Sequence, residues 1–312
     1  MRFFVKGGFL PSKTKVEQSE RHQQSLDLAP GSNGIIPYVE QETVEYLEEV
    51  KAFRADQLEE APFMSFRLHQ GVYGQRQPDS QMFRIKLPGG VMTPEALEAI
   101  GEITENFAPL KKGHLTTREN VQIHNMSLED CGKAMEIIGM VGLSTREACA
   151  NTVRNVVAPP TSGVCPDEIF DVMPYLTAYV RFAVRHPLTQ NFPRKFKTSF
   201  TGCADHDDVI SPLQDFSFIA QTREDNGAIQ SGFKVLVGGG TSIMPRLGKV
   251  LYEFVPVEDY LRVSQAVWSV FNKAESLRKN RMMARIKVLI DRIGFDIFKD
   301  LVEEELKTIG PI

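Results

Sequence analysis

Strand-like and helix-like segments alternate early in this chain, and that order is its strongest constraint on the fold. The segment QMFRIKLPGG, residues 81–90, alternates apolar and polar side chains and stops at Pro-Gly-Gly. An N-cap threonine followed by proline predicts a helix over residues 93–108. Residues 114–126 alternate again as a strand, and residues 127–142 form a second capped helix. This order predicts an α+β half-unit with an antiparallel or mixed sheet.

The segments before this unit are polar. Residues 1–35 contain PGSNG and are predicted to be a mobile leader. Residues 37–60 are predicted to form one acidic amphipathic helix. Its apolar face would consist of Val44, Leu47, Val50 and Phe53.

A second unit begins near residue 145. Its predicted elements are a loop at 151–166, a helix at 167–184, a PRKFKTSF strand, strands near 215–221 and 232–237, and a long helical tail over roughly 258–308. The predicted domains are therefore a leader with an acidic helix (1–60), a half domain (61–144) and a second domain (145–312).

Composition narrows the functional class. With 312 residues, of which 42% are hydrophobic, the chain can bury a sizeable core. No apolar run approaches the roughly 20 residues that span a bilayer, and the apolar start is too short for a secretory signal, so a cytoplasmic protein without membrane contact is predicted. The cysteines form no Cys-x-x-Cys pair and no zinc-type spacing, which predicts reduced thiols; they are Cys131, Cys149, Cys165 and Cys203.

Basic charge is concentrated in one stretch. The net charge is -4, yet residues 181–200 hold five bases and no acid. A nucleic-acid-binding protein would usually be basic over a whole face or domain, so this class is disfavoured. In NFPRKFKTSF, Lys195 and Lys197 are two residues apart and share one face of a strand-like segment. The pattern predicts a confined site for an anion.

Five motifs, in order, carry a family resemblance. They are MFRIKLPGG, HLTTRENVQIHNM, TREACANTVRNVVAPP, NFPRKFKTSFTGC and FKVLVGGG, between about residues 66 and 308. This set resembles the siroheme-dependent assimilatory sulfite and nitrite reductases. The resemblance implies an α+β fold: a ferredoxin-like half domain followed by an α/β siroheme-binding domain.

The resemblance also implies an anion site on the substrate side of siroheme. The family's two arginines and two lysines correspond to Arg84, Arg154, Lys195 and Lys197. Breaking an N–O or S–O bond requires protons at the oxygen. Lysine can release a proton and arginine effectively cannot, so the lysines are predicted proton suppliers and the arginines anion clamps.

Further residues are expected to bind the many carboxylates of siroheme. Thr116, Arg118, Gln122 and His124 are expected to share one strand face that donates hydrogen bonds to the cofactor. His124 is not assigned to the iron, because a cysteine thiolate fills that place in the family, and no metal ligand is predicted in this chain. The remaining predicted cofactor contacts are Asn155, Gly239, Gly240, Arg281 and Lys287.

Two of these expectations have plain alternatives. The Gly238–Gly240 run is as often a simple turn as a ligand contact. Arg278, Arg281, Arg285 and Arg292 recur at helical spacing in the tail, which is more typical of a solvated helix face.

The sequence departs from the family in one respect. The four cysteines of the family's iron-sulfur cluster belong to a second half, and the sequence stops at IGPI before it. Cys203 is expected to be a buried thiol. The predicted function is the siroheme side of a sulfite or nitrite reductase, an oxidoreductase that delivers six electrons to its substrate. A separate second half or subunit would then supply the cluster, in a hetero-oligomer or domain-level dimer.

Alternatives remain at this stage. One alternative is a non-catalytic siroheme-binding or assembly protein. Another is a relative of precorrin-3B synthase, which shares the fold. The proton-donating lysines favour the reductase. The electron donor would be ferredoxin or a flavin reductase, and the acidic segment at 40–60 is a surface that a basic partner could contact. The basic site suits sulfite and nitrite equally.

Overall fold

The structure is a computed structural model, and it describes residues 15–28, 35–203, 206–225 and 227–312. Its helices are α1 (Lys15–Asp27), α2 (Glu40–Arg54), α3 (Glu60–His69), α4 (Pro94–Phe107), α5 (Leu128–Met140), α6 (Met173–Ala183), α7 (Tyr260–Asn272), α8 (Glu275–Arg278), α9 (Ile286–Ile293) and α10 (Phe295–Leu306). Its strands are β1 (Val72–Gly74), β2 (Gln81–Lys86), β3 (Gly113–Leu115), β4 (Asn120–Met126), β5 (Thr198–Thr201), β6 (Phe216–Asp225), β7 (Ala228–Val237) and β8 (Lys249–Pro256).

The first sheet has the strand order β1-β2-β4-β3, and all its pairs are antiparallel. Helices α4 and α5 begin as predicted: Thr93 accepts a hydrogen bond from the Ala96 N–H, and Ser127 accepts one from the Asp130 N–H. The buried side chains of these helices pack with those of β2 and β4 in one core. The antiparallel α+β arrangement predicted for this unit is confirmed.

The second sheet has the order β5-β6-β7-β8 and is mixed, because β5 pairs with β6 in parallel and the other pairs are antiparallel. Its core is rich in aromatic rings; Phe200 and Phe218 stack with ring centroids 4.6 Å apart, and Trp268 of α7 is fully buried beside Tyr179 of α6.

Five sequence predictions about elements were wrong. Helix α1 lies inside the segment predicted to be a mobile leader, although residues 1–14 and 29–34 of that leader fall outside the described residues. The acidic helix ends at Arg54 instead of residue 60, and Val44 is exposed while Tyr46 fills the core. The predicted helix at 167–184 begins only at Met173.

The strand predicted over 114–126 is instead the hairpin β3-β4. The Glu119 N–H donates to the Thr116 carbonyl and closes the turn, with Glu119 at a φ of 52°. The long helical tail is likewise divided into α7, α8, α9 and α10, with breaks near Ala274 and Asn280 and at Gly294, whose φ is 89°. Within the described ranges, no helix combines the length and the apolar character needed to cross a bilayer.

Candidate functional site

The segment before β5 presents the two predicted lysines on one side. Phe196, between them, is fully buried; its N–H donates to the Thr152 carbonyl at 3.0 Å and its carbonyl accepts the Arg154 N–H at 2.8 Å. The contact is a parallel bridge, and the regular strand starts only at Thr198. Because side chains alternate along extended backbone, the inward Phe196 places Lys195 and Lys197 together on the opposite side.

Arg84 and Arg154 meet at one backbone oxygen. Arg84 Nη1 donates to the Ala148 carbonyl at 3.3 Å, and Arg154 Nη1 donates to the same oxygen at 3.0 Å. Arg154 also donates twice to the Ala150 carbonyl, from Nε at 3.0 Å and Nη2 at 2.7 Å. Ala150 has a φ of 60°, a left-handed conformation that alanine adopts rarely. The guanidinium of Arg154 therefore fixes an unusual turn while carrying its charge into the site.

The four residues predicted to be catalytic form one electrostatic group. Burial lowers the pKa of the Lys195 ammonium to about 8, helped by the neighbouring charges of Arg154, Lys197 and Arg194. Burial also lowers the pKa of Lys197 to about 8, with further repulsion from Arg118 and Arg285. The structure thus brings these side chains together as the sequence predicted, and their roles remain predictions. Such crowding of like charge favours an anion at their centre.

Asp215 organises part of this basic group. Its buried carboxylate accepts the Lys197 backbone N–H at 2.8 Å and binds Arg285 through Nε and Nη2 at 2.8 and 2.7 Å. The Asp215–Arg285 ion pair holds the guanidinium of Arg285 toward Lys197. Sequence reasoning missed Asp215, and it placed Arg285 on a solvated helix face, because no local pattern links residues 70 positions apart.

The predicted cofactor contacts of the hairpin lie partly on strand β4 and partly in the turn before it. Gln122 on β4 lies opposite Arg84 on β2, and with the amide oxygen of Gln122 facing Arg84, Nε and Nη2 donate to it at 3.0 and 2.8 Å. Thr116 and Arg118 lie in the turn instead of on the strand. The Thr116 hydroxyl accepts two turn N–H groups, from Arg118 and Asn120. Arg118 donates to the Asn155 carbonyl at 3.1 Å and to the Gln214 side chain.

Several buried polar atoms near this turn have no partner within the described residues. They are His124 Nε2, Asn155 Oδ1, Asn120 Oδ1 and Glu119 Oε2. The Asn155 amide nitrogen donates to the Leu87, Arg118 and Glu119 carbonyls, which leaves its oxygen free. Burial lowers the pKa of His124, which favours the neutral imidazole, and burial raises the pKa of Glu119 to about 7. Buried polar atoms normally find partners, so these atoms fit a polar ligand that completes them.

Two of the remaining predicted contacts, Gly239 and Lys287, are already engaged with the protein. A Cβ on Gly239 would lie 2.2 Å from the Pro212 carbonyl oxygen, so this glycine permits close backbone packing. Lys287 is buried, and its ammonium donates to the carbonyls of Gly240, Thr241, Ile243 and Met244 at 2.8 to 3.3 Å. Arg281 is exposed in a short 3₁₀ helix. Burial, and then the nearby charge of Arg281, lower the pKa of the Arg194 guanidinium.

Known protein families match both units of the chain. Residues 149–309, which are more than half of the chain, match the family of the nitrite and sulphite reductase 4Fe-4S domain. The chain belongs to the nitrite and sulfite reductase family. Residues 73–141 match the nitrite/sulfite reductase ferredoxin-like half domain. The predicted family and α+β fold class are therefore confirmed, while the domain boundaries at residues 60 and 144 remain predictions.

Relatives of this family member include sulfite and nitrite reductases. The protein is 31% identical over 224 residues to sulfite reductase [ferredoxin] 1 of Mycolicibacterium paratuberculosis, an alignment that covers 72% of this chain and 39% of that protein. It is 27% identical over 230 residues to the ferredoxin–nitrite reductase of Leptolyngbya laminosa, which covers 72% of this chain and 44% of the relative. This chain thus spans about two fifths of the length of these curated relatives.

Two solved structures share this fold. The Mycobacterium tuberculosis NirA protein superposes with a TM-score of 0.75 at 27% identity, covering 86% of this chain and 52% of that one. Dissimilatory sulfite reductase I superposes with a TM-score of 0.60 at 15% identity, covering 83% and 86% of the two chains, which is a likeness of fold alone.

Proposed function

We propose that this chain forms the substrate side of a siroheme-dependent sulfite or nitrite reductase, an oxidoreductase. The observation that carries the proposal is the convergence of Lys195 and Lys197 with Arg84 and Arg154 on one basic site. A small oxyanion leaves water only where fixed charges replace its hydration, and this group supplies such charges. Membership of the family and the likeness to ferredoxin-dependent reductases support the same reaction.

The lysines supply protons in this proposal. A pKa of about 8 leaves Lys195 and Lys197 largely protonated at neutral pH but able to release a proton to a developing oxygen anion. The arginines keep their charge and hold the anion, since their guanidinium groups are fixed by the Ala148 carbonyl. Holding and protonation are thus divided between two residue types.

The residues present fit siroheme as a ligand. Its carboxylates need several donors, and Arg118, the Gln122 amide nitrogen and the unpartnered His124 Nε2 lie on the hairpin side of the basic site. The unpartnered Asn155 Oδ1 is an acceptor and is available only to a donor. When bound, siroheme supplies the iron to which the anion binds and through which electrons reach it. Thr116 and Asn155 fix the backbone of the hairpin side. Gly239, Gly240 and Lys287 fix the backbone around residues 239–244, and the exposed Arg281 remains a proposed contact.

The cluster and the electron donor lie outside this chain in the proposal. An iron-sulfur cluster would come from a second half or partner subunit, because the four free cysteines here do not form a four-cysteine group within the described residues. Ferredoxin is the proposed donor, supported by the ferredoxin-dependent relatives; a flavin reductase is the alternative donor. The site is proposed to lie in a cytoplasmic enzyme.

The test is a Lys197→Met substitution in the full natural protein with its cluster-bearing half or partner. Turnover of nitrite and of sulfite is expected to fall at least about 100-fold, because one proton supplier is lost. The siroheme absorption spectrum and the iron content of the purified protein are expected to stay at the wild-type level.

Lys307→Met is the matched control, because Lys307 is exposed at the end of α10 and pairs only with Glu304 among the described residues. It is expected to keep wild-type turnover. A wild-type rate in Lys197→Met would contradict the proposed role of this lysine. A colourless wild-type protein from cells that make siroheme would contradict the proposed cofactor.

A further inference from the structure

Three metal-ligating side chains outside the basic site come together beside β5. Cys165 Sγ lies 3.2 Å from Cys203 Sγ and 3.8 Å from His206 Nε2. The three ligand atoms all lie within 4.8 Å of one another. Cys203 is buried, and Cys165 and His206 are half-buried.

Backbone pairing fixes the two segments that carry the cysteines. Glu168 and Cys203 form an antiparallel bridge, and the Ile169 N–H donates to the Gly202 carbonyl at 2.9 Å. Cys165 lies in a turn, and its backbone N–H donates to the Thr161 carbonyl at 2.9 Å. The two cysteines therefore lie on a turn and a strand end that are hydrogen-bonded to each other, which is the rigid support that a metal site requires.

A neighbouring carboxylate adds an independent observation. Glu168 Oε2 accepts the Gly163 N–H at 2.8 Å, whereas Oε1 is buried and has no partner among the described residues. Oε1 lies against the backbone of Gly202, beside Cys203; a Cβ on that glycine would be 2.5 Å from it. A buried carboxylate oxygen without a donor is costly unless a cation balances it.

We propose that Cys165, Cys203 and His206 bind a zinc ion. Tetrahedral zinc with Zn–S bonds of about 2.3 Å and Zn–N bonds of about 2.0 Å separates two sulfur ligands by roughly 3.8 Å and a sulfur from a nitrogen ligand by roughly 3.5 Å. The corresponding distances here are 3.2 and 3.8 Å, so shifts of about 0.3 to 0.6 Å would bring these atoms to zinc geometry. Two thiolates and an imidazole fill three positions, and a water that donates to the buried Glu168 oxygen fills the fourth. Thiolate and imidazole ligands favour zinc over magnesium or calcium, which prefer oxygen.

A disulfide between Cys165 and Cys203 is the competing hypothesis, and it accounts for fewer of the neighbouring groups. It would use neither the His206 imidazole nor the unpartnered Glu168 oxygen. The sequence contains a matching signal, a Cys-x-x-His spacing at 203–206. The spacing of the cysteines alone does not reveal the metal site, because Cys165 and Cys203 are 38 residues apart.

The test measures zinc in the full natural protein, prepared under reducing conditions with zinc supplied and loosely bound metal removed by dialysis. Elemental analysis is expected to find about one zinc per chain, and X-ray absorption at the zinc edge to find two sulfur neighbours at about 2.3 Å with nitrogen or oxygen at about 2.0–2.1 Å. Because the absorption edge is element-specific, siroheme or cluster iron does not contribute to it.

Cys203→Ser and His206→Gln are each expected to lower the zinc affinity at least about 10-fold. Cys131→Ala is the matched control, because Cys131 is buried in the other core and lies outside the cluster. His206 is half-buried, so its variant keeps the protein folded and the test interpretable.

Three results would overturn the proposal. The first is a wild-type protein without zinc under these conditions. The second is unchanged zinc affinity in both ligand variants. The third is a loss of two free thiols in the denatured, non-reduced protein without any zinc, which would establish the disulfide instead.

Discussion

Arg84 and Arg154 donate hydrogen bonds to the same atom, the Ala148 carbonyl oxygen, at 3.3 and 3.0 Å. Two like charges approach closely here because one backbone dipole accepts from both. Arg84 comes from β2 of the first sheet and Arg154 from the loop that leads to the second. The shared oxygen therefore ties the two units together at the site where the anion is proposed to bind.

Replacing Arg154 with lysine is expected to lower the free energy of unfolding by about 1–3 kcal/mol. An ammonium keeps the charge, but it cannot bond the Ala148 and Ala150 carbonyls together as the planar guanidinium does. Urea unfolding measures the change. The control is Arg223→Lys, because Arg223 is exposed and bonds the Gln230 side chain; a shift below about 0.5 kcal/mol is expected there. Equal losses in both variants would argue against a special role for Arg154.

Nitrite affinity is expected to fall as the pH rises above about 8. A bound anion favours the charged lysines and raises their pKa, so binding takes up protons wherever Lys195 or Lys197 is partly neutral in the free protein. The loss is expected to reach about tenfold per pH unit for each lysine that must be protonated. Nitrite is the suitable probe because it stays an anion over this range, and calorimetric titration measures its affinity.

Lys197→Arg serves as the control for this pH dependence, because arginine stays charged throughout the range. The slope above pH 8 is expected to become shallower in that variant. A wild-type affinity that is constant from about pH 7 to 10 would contradict the depressed lysine pKa values.

Asp215→Asn is expected to destabilise the fold by about 3–5 kcal/mol, because it leaves Arg285, whose side chain is 11% exposed, without its carboxylate. The matched control is Asp291→Asn, since Asp291 also pairs with an arginine, Arg246, but at a more exposed position. That change is expected to cost less than about 1 kcal/mol. Thermal and urea unfolding of both variants provide the comparison, and similar costs would show that burial does not strengthen the Asp215 pair.

Acid stability is expected to depend on Glu42. Burial alone would raise the pKa of this carboxyl, but Arg146 and Arg185 outweigh it and lower the pKa to about 2. Because the folded pKa lies below the unfolded one, the stabilisation is complete near neutral pH and is lost as the pH falls from about 5 toward 2. The loss is at most about 3 kcal/mol. Urea unfolding at several pH values should show a shallower acid slope in Glu42→Gln than in wild type or in the exposed control Glu253→Gln.

Gly239→Ala is expected to destabilise the protein by about 1–3 kcal/mol, because its methyl group would meet the Pro212 and Gln214 carbonyl oxygens at 2.2 and 2.4 Å. Gly101→Ala, in the middle of α4 with nothing within 4 Å of the new carbon, is expected to stabilise by about 0.5–1 kcal/mol. Opposite signs in melting temperature are the expected readout. An unchanged melting temperature in Gly239→Ala would mean that the loop yields without cost.

Sequence patterns predicted the elements whose signals are local. Thr93 and Ser127 mark the starts of α4 and α5 because N-caps act within three residues. The β3-β4 turn was missed because Thr116 to Glu119 contains neither glycine nor proline, and a glutamate takes the left-handed position. Likewise, α1 has few apolar residues of its own, yet it packs through His22, whose ring lies 4.8 Å from that of His186.

The site was predicted in part for the same reason. Lys195 and Lys197 are visible in sequence because two residues separate them. Arg285 and Asp215 are not, because their pairing depends on how the α9 segment folds back onto the second sheet. Lys287 shows the reverse case: the resemblance predicts a cofactor contact, and the structure engages its ammonium with backbone carbonyls.

The surroundings of Lys287 have a consequence for the loop over residues 240–244. Four carbonyl oxygens that converge on one point usually require a potassium or sodium ion to offset their mutual repulsion. Here the positive centre is the end of a side chain, held at 2.8 to 3.3 Å from each oxygen. Because this cation is part of the polypeptide, dialysis and chelators cannot remove it, and the positive centre of the loop does not exchange with ions in the solvent.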